Sequence, residues 1–193
     1  MAYKITSAVS TEPLTLAEAK AFLRVEHDAD DTLISDLISS ARAQVESLTG
    51  LALAAHTVEE YFDVWPDSGL FTLSLCPVTS VTSVNYIADG ATTYTALAAS
   101  GNWTSDVVSK PARVFELDTS SIPDIEPVVN AIKIVYTADG TAGNHNTSAL
   151  KIARMAMRFL ITRDYELRND PVTRTTQYTI RRIEQLVRQI RAF

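Results

Sequence analysis

The chain has 193 residues, 46% of them hydrophobic and 21% charged, with one cysteine and a formal net charge of −6. A chain of this size makes one compact domain or two small ones and buries roughly 70% of its unfolded surface without covalent staples. Cys76 is the single cysteine, so an internal disulfide framework and a Cys-rich zinc finger are both excluded.

The opening residues, Met1-Ala-Tyr-Lys-Ile5, have neither the apolar core nor the small-residue cleavage site of a secretory signal, and the expectation is a chain made and kept in the cytoplasm. No window approaches the ~18 uninterrupted apolar residues of a membrane span, so no membrane partner is expected.

Residues 11–50 read as helical. Thr15 and Glu18 have the spacing of a capping box, in which each side chain satisfies a free backbone donor at the start of a short helix carrying Leu16, Ala19 and Leu23. Asp30 or Asp31 then caps a longer helix. Its apolar residues Ile34, Leu37, Ile38, Ala41, Val45 and Leu48 recur at spacings of three and four, and Gly50 supplies the left-handed residue that ends it.

From about Leu53 to Thr137 the period changes to two, the spacing of strands. Val58, Glu60, Phe62 and Val64 alternate with Thr57, Glu59, Tyr61 and Asp63, and Phe71, Leu73 and Leu75 alternate with Leu70, Thr72 and Ser74. Asp89-Gly90 between Val84–Tyr86 and Thr93–Thr95 predicts a two-residue hairpin, because glycine accepts the positive φ of a type I′ turn. Further strands are expected at Arg113–Leu117 and Ala131–Tyr136, the latter with Ile132, Ile134 and Tyr136 on one face. Ala-Asp-Gly occurs at both 88–90 and 138–140, which reads as two similar turns and not as a repeat.

The helical period returns after Asn146. A helix to about Leu167 is apolar around most of its circumference, with Lys151, Arg154 and Arg158 as a narrow polar stripe. Pro171 breaks the chain, and a last amphipathic segment sets Ile180, Ile183, Val187 and Ile190 against Arg181, Arg182, Arg188 and Arg191. The predicted class is α+β: a helical core from residues 1–52 and 146–170, an antiparallel β module inserted at 53–145 as a small sandwich or curled sheet, and a basic amphipathic arm at 171–193.

The net charge hides a segregation. Residues 151–193 hold ten basic and four acidic residues, a net +6, while residues 1–150 carry a net −12. The two parts present opposite fields to a partner.

Catalytic chemistry is not legible. His27, His56 and His145 are far apart and none has a partner at metal-ligand spacing, so each is expected to be a solvated loop or strand-end residue and no metal is expected. Asp28-Ala-Asp-Asp31 opens like a calcium loop, but the sixth position is Leu33 where glycine is needed and the twelfth is Ser39 where glutamate is needed; helix capping explains it better. Gly140–Ser148 has the small residues of a phosphate loop without its Gly-Lys-Ser/Thr ending and reads as a connection between sheet and helix. No Gly-x-Ser-x-Gly elbow or dinucleotide fingerprint exists, and Cys76 at a strand end reads as an inert thiol. No cofactor and no enzyme activity are expected.

Several stretches in order resemble one family. They are Pro13-Leu-Thr-Leu-Ala-Glu-Ala-Lys20, Phe22-Leu-Arg-Val25, His27-Asp-Ala-Asp-Asp31, Leu33–Leu37 and the Ala41–Gly50 helix end. Later come Leu75-Cys-Pro-Val78 leading to Val84-Asn-Tyr86 before an Asp-Gly turn, Ile134-Val-Tyr-Thr-Ala138-Asp-Gly, and a long helix ending Arg163-Asp-Tyr165-Glu. Together, over residues 13 to about 168, they resemble the phage head–tail connector family, also called DNA-packaging or head-completion adaptors; the C-terminus matches thinly.

The resemblance implies a structural adaptor in a virion at the head–tail interface of a tailed phage or phage-derived particle. It implies a homo-oligomeric ring of twelvefold symmetry under the portal protein, which extends the DNA channel and offers a surface to a stopper or tail-completion protein. DNA would pass without sequence-specific binding, in keeping with an acidic body. The arm is expected to dock on the portal through Arg181, Arg182, Arg188 and Arg191, with Ile183, Val187, Ile190 and Phe193 as apolar anchors. The ring is expected to form through the helix of residues 31–49, with Ile34, Leu37, Ile38, Ala41 and Val45 at the interface. The alternative is a nucleic-acid-binding module using the same C-terminal arginines on phosphates.

Overall fold

A computed structural model describes residues 2–7, 9–116, 123–141, 147–167, 181–186 and 188. The chain divides into two compact units, one of residues 1–9 and 55–142 and the other of residues 10–54 and 143–193.

The first unit is the β module. Its larger sheet runs in the order β1 (Ala2–Ile5), β2 (His56–Phe62), β8 (Ile132–Ala138), β4 (Val78–Ile87), β5 (Tyr94–Leu97); the smaller runs β3 (Leu70–Thr72), β7 (Arg113–Glu116), β6 (Trp103–Asp106), and every pairing is antiparallel. The period-two reading places the faces correctly on β2 and β8, where His56, Val58 and Glu60, and then Ile132, Ile134, Tyr136 and Ala138, point inward. Both sheets contribute to the buried set, Val58, Val84 and Ile134 from one and Phe71 and Val114 from the other. Phe62 of β2 meets Phe71 of β3 edge-on with ring centroids 4.8 Å apart.

Two expectations change here. Strand β1 lies in the segment read only for its lack of a signal, and it pairs with β2 in the register Ala2 to Tyr61 through Ile5 to Val58. All four of its residues are exposed, so no buried face marks it in the sequence. The turn at Asp89-Gly90 does join two paired strands, and Gly90 has φ +72°, but Ile87 pairs with Tyr94, which makes the connection six residues and not two. The reason is a competing partner: Ala88 bridges Ile125, Glu126 N–H donates to the Ile87 carbonyl, and Asp89 N–H donates to that of Asp124, so the chain beyond β4 is held by the 123–130 segment.

The second unit is helical: α1 (Leu16–Leu23), α2 (Asp31–Thr49), α4 (Thr147–Leu167) and a helical segment at 181–186; the short α3 (Ala99–Asn102) belongs to the β unit. The Thr15/Glu18 capping box is formed, and Gly50 ends α2 at φ +68°. Asp30 stands at the start of α2 but its side chain makes no capping bond. Instead its Oδ2 accepts from the Tyr165 hydroxyl at 2.5 Å, while Asp31 pairs with Lys20 at 2.7 Å, so these acids tie α2 to its neighbours. Leu14, Ala19, Ile34, Ile38, Ala41 and Val45 share a core with Ala153, Ala156, Met157, Leu160 and Ile161 of α4.

Candidate interaction surfaces

The inward stripe of α2 is fixed first, because it decides what the helix can offer outside. Ile34 and Val45 are fully buried, Ile38 and Ala41 nearly so, and Leu37 packs partly buried against the same core. These are the residues expected to form a ring interface, and the structure uses them inside their own unit. The face of α2 turned outward carries Leu33, Ser40, Ala43, Ser47 and the half-exposed Leu48. An apolar stripe at helical spacing identifies the face that needs covering; it does not say whether the cover comes from the same chain.

The end of α2 is held by a buried carboxylate. Glu46 accepts from Arg42 at 2.9 Å and from the Leu53 backbone N–H at 2.8 Å, and Arg42 also donates to Glu12 at 2.8 Å. On α1, Lys20 donates to Asp28 and Asp31; hydrogen bonds to both carboxylates raise its pKa and lower that of Asp28. Glu18 closes the capping box and also takes Arg154 at 2.6 Å, with Arg158 at 3.8 Å. Its pKa is lowered chiefly by the Thr15 backbone N–H, then by the Thr15 hydroxyl and Arg154, against a desolvation that raises it.

At the C-terminus, residues 181–186 are helical and Arg181, Arg182 and Arg188 are exposed. Ile183 is 6% exposed and Leu186 5%, both within the core of the helical unit. The apolar side of this segment is therefore occupied at home, and Ile183 is not a free anchor, while the arginines face solvent. Val187, Ile190, Arg191 and Phe193 lie outside the described residues, as does His145.

His56 stands at a strand end, as expected, being the first residue of β2, but it is buried where solvation was expected; His27 is exposed as expected. Burial, the largest of several effects, pushes the Cys76 thiol up and favours its unreactive protonated form, while the Ala112 N–H that donates to its sulfur at 3.4 Å works in the opposite direction. Among the described residues no group of His, Cys, Asp and Glu could hold a metal ion, and no helix is long and apolar enough to cross a membrane.

Residues 13–87 match the family model described as phage gp6-like head-tail connector protein, which bears out the resemblance read from the Pro13–Gly50 and Leu75–Tyr86 stretches. No curated protein sequence matches the chain. Among solved structures the fold is similar to a chain of "Virion of native gene transfer agent (GTA) particle" at TM-score 0.72, 22% identity and coverage of 96% of this chain and 95% of that one. It is also similar to a chain of "Neck of empty GTA particle computed with C6 symmetry" at TM-score 0.69, 22% identity and the same coverage. A third match, to "Neck of native GTA particle computed with C12 symmetry", has TM-score 0.67 and 22% identity over 96% of this chain and 94% of that one. At this identity the fold is what is shared, over 96% of this chain.

Proposed function

We propose that this chain is a structural adaptor of a tailed phage or phage-derived particle, placed in the neck at the head–tail interface. There it forms a ring under the portal, extends the DNA channel and presents a surface to a stopper or tail-completion protein. The observation that carries the reading is a coincidence of two likenesses: a head–tail connector family model on residues 13–87, and, over 96% of the chain, the fold of chains from the neck and virion of gene transfer agent particles. A ring of twelve takes its support from the neck computed with C12 symmetry.

Within this reading, Arg181, Arg182 and Arg188 are the portal-facing charges, because they are exposed on a segment whose other side is anchored in the unit's own core. Truncating the segment would remove Ile183 and Leu186 from that core and confuse docking with folding. Charge reversal at the three arginines is the cleaner test. Wild-type chain mixed with portal rings is expected to give stacked rings by negative-stain imaging. Arg181→Glu/Arg182→Glu/Arg188→Glu is expected to keep its circular dichroism and lose the stacking, since a desolvated arginine anchor is worth about 2 kcal/mol or more. Stacking by the triple variant would remove the docking role from these residues, and absence of stacking by wild type would remove the portal itself.

A further inference from the structure

One end of the β unit combines features that an isolated surface does not need. The loops at 63–68, 88–93 and 123–130 hold five acidic residues and no lysine or arginine. They are tied into one body: Asn130 N–H donates to Asp63 at 2.7 Å, Trp65 Nε1–H to the Pro123 carbonyl at 3.2 Å, and Gly90 N–H to Glu126 at 2.7 Å. With Asp63 and Glu126 engaged in that way, Asp67, Asp89 and Asp124 remain on exposed residues. Beside them stand two valines, Val64 at 68% exposure and Val129 at 78%. Loops cross-linked in this way, showing apolar side chains on the same segments as carboxylates, have less ordering cost to meet on forming a contact.

The helical unit carries the complementary surface. Lys151, Arg154 and Arg158 share one face of α4 at spacings of three and four, and among the described residues Glu18 is the carboxylate that pairs with Arg154 and Arg158, which leaves a surplus of positive charge. Next to the stripe Phe22 is 41% exposed, edge-on to Phe159 at 6.2 Å and with the Arg158 guanidinium 6.0 Å from its ring centre. Arginine and an aromatic ring side by side are the residue types that dominate contact energies at protein interfaces.

We propose that the acidic, valine-bearing tip of one copy docks on the Phe22/Lys151/Arg154/Arg158 patch of a second copy, and that this contact joins neighbours in the ring. The inference rests on the ring reading above and names its interface. The occupant is a second copy because the chain itself supplies both halves, opposite in charge and each with an apolar centre. The two halves are different surfaces, so the contact is head-to-tail and propagates until it closes.

The test uses two full-length variants. Asp67→Lys/Asp89→Lys/Asp124→Lys makes the tip basic, and Lys151→Glu/Arg158→Gln makes the patch acidic. Sedimentation velocity is expected to show wild type in species larger than a dimer, and each variant alone at least about tenfold weaker in association, or ~1.4 kcal/mol. An equal mixture of the two is expected to recover assembly, because each basic tip then meets an acidic patch and each acidic tip a basic one. A third variant, Val64→Ser/Val129→Ser, changes only exposed side chains and is expected to weaken association without altering the melting temperature. Variants that assemble like wild type, or a mixture that does not recover, would overturn the contact while leaving the ring in place. A wild type that stays monomeric would overturn ring and contact together.

Discussion

Glu60 lies on the inward face of β2 out of contact with solvent, yet both its oxygens are engaged. Ser74 donates through its hydroxyl and its backbone N–H at 2.5 and 3.0 Å, and the Tyr136 hydroxyl donates at 2.9 Å while accepting from Leu75 N–H at 3.2 Å. Burial, then the nearby Glu60 carboxylate, push the Tyr136 pKa upward, which keeps the phenol a donor. Tyr136→Phe would leave a buried Leu75 N–H without its acceptor and remove one charge-assisted bond, and is expected to cost about 2–3 kcal/mol. Both tryptophans, Trp65 and Trp103, lie in this unit, so urea unfolding followed by tryptophan fluorescence reads the effect directly. Glu116 is the opposite case. It is buried on β7, neither carboxylate oxygen has a hydrogen-bond partner among the described residues, and burial raises its pKa. A carboxyl whose folded pKa exceeds the unfolded value binds its proton more tightly when folded. Its penalty is therefore absent below the ordinary carboxylate range and grows as pH rises through the folded value. Glu116→Gln is expected to raise the melting temperature at about pH 7 and to flatten the loss of stability from mildly acidic to neutral pH; an unchanged pH profile would mean that the carboxylate is solvated.

At the scale of elements, α1 is the point where local and tertiary roles meet. Thr15→Ala removes a cap and is expected to cost about 1 kcal/mol. Glu18→Ala removes the reciprocal half of the box and also releases Arg154 and Arg158 of α4, so it should cost more than Thr15→Ala. Thermal melts of wild type and Thr15→Ala should also show an acid dependence that Glu18→Ala abolishes, because a lowered carboxyl pKa gives stability present above the unfolded value and lost as pH falls through the folded one. The capping box, the Gly50 stop, the α2 stripe and the alternation of β2 and β8 were legible because each is a local pattern with a local cause. Strand β1 was not, because four exposed edge residues carry no alternation of burial, and its partner β2 is about fifty residues away. The true length of the 88–93 connection depends on Ile125, and nothing near Gly90 announces it. The interaction residues divide on the same line. Ile34, Ile38, Ala41, Val45 and Ile183 were recognisable as apolar faces, but which body covers a face is a tertiary fact, and here it is the unit's own core. The exposed arginines at 181, 182 and 188 needed only amphipathic spacing. The Val64/Val129 tip needed three loops from distant parts of the chain to be brought together.

For the molecule as a whole, the separation of −12 from +6 looks at first like a body that repels DNA and an end that attracts it. The structure narrows how much cationic surface is available. Lys20 is held by two aspartates, Arg42 by two glutamates, Arg113 by Asp106, Lys133 by Glu59, and Arg154 and Arg158 by Glu18. Beside the Lys151/Arg154/Arg158 stripe of α4, where one carboxylate is shared by two arginines, a duplex would meet Arg181, Arg182 and Arg188 as the other exposed basic cluster among the described residues of the C-terminus, and that cluster offers three contacts. Each phosphate neutralised contributes about −0.9 to the slope of log affinity against log salt, so three contacts give a slope of only about −3, set against repulsion from the acidic remainder. The full-length chain is thus expected to show no retained binding to duplex DNA by fluorescence anisotropy at physiological ionic strength, and the Arg181→Glu/Arg182→Glu/Arg188→Glu variant is expected to be indistinguishable from wild type there. The same variant should differ sharply from wild type on portal rings. Tight DNA binding that falls steeply with salt and is lost in the triple variant would shift these arginines to a nucleic-acid interface. The expected result fits the proposed place of the chain around a DNA channel, because a wall that held phosphates through counterion release would oppose the passage of the duplex.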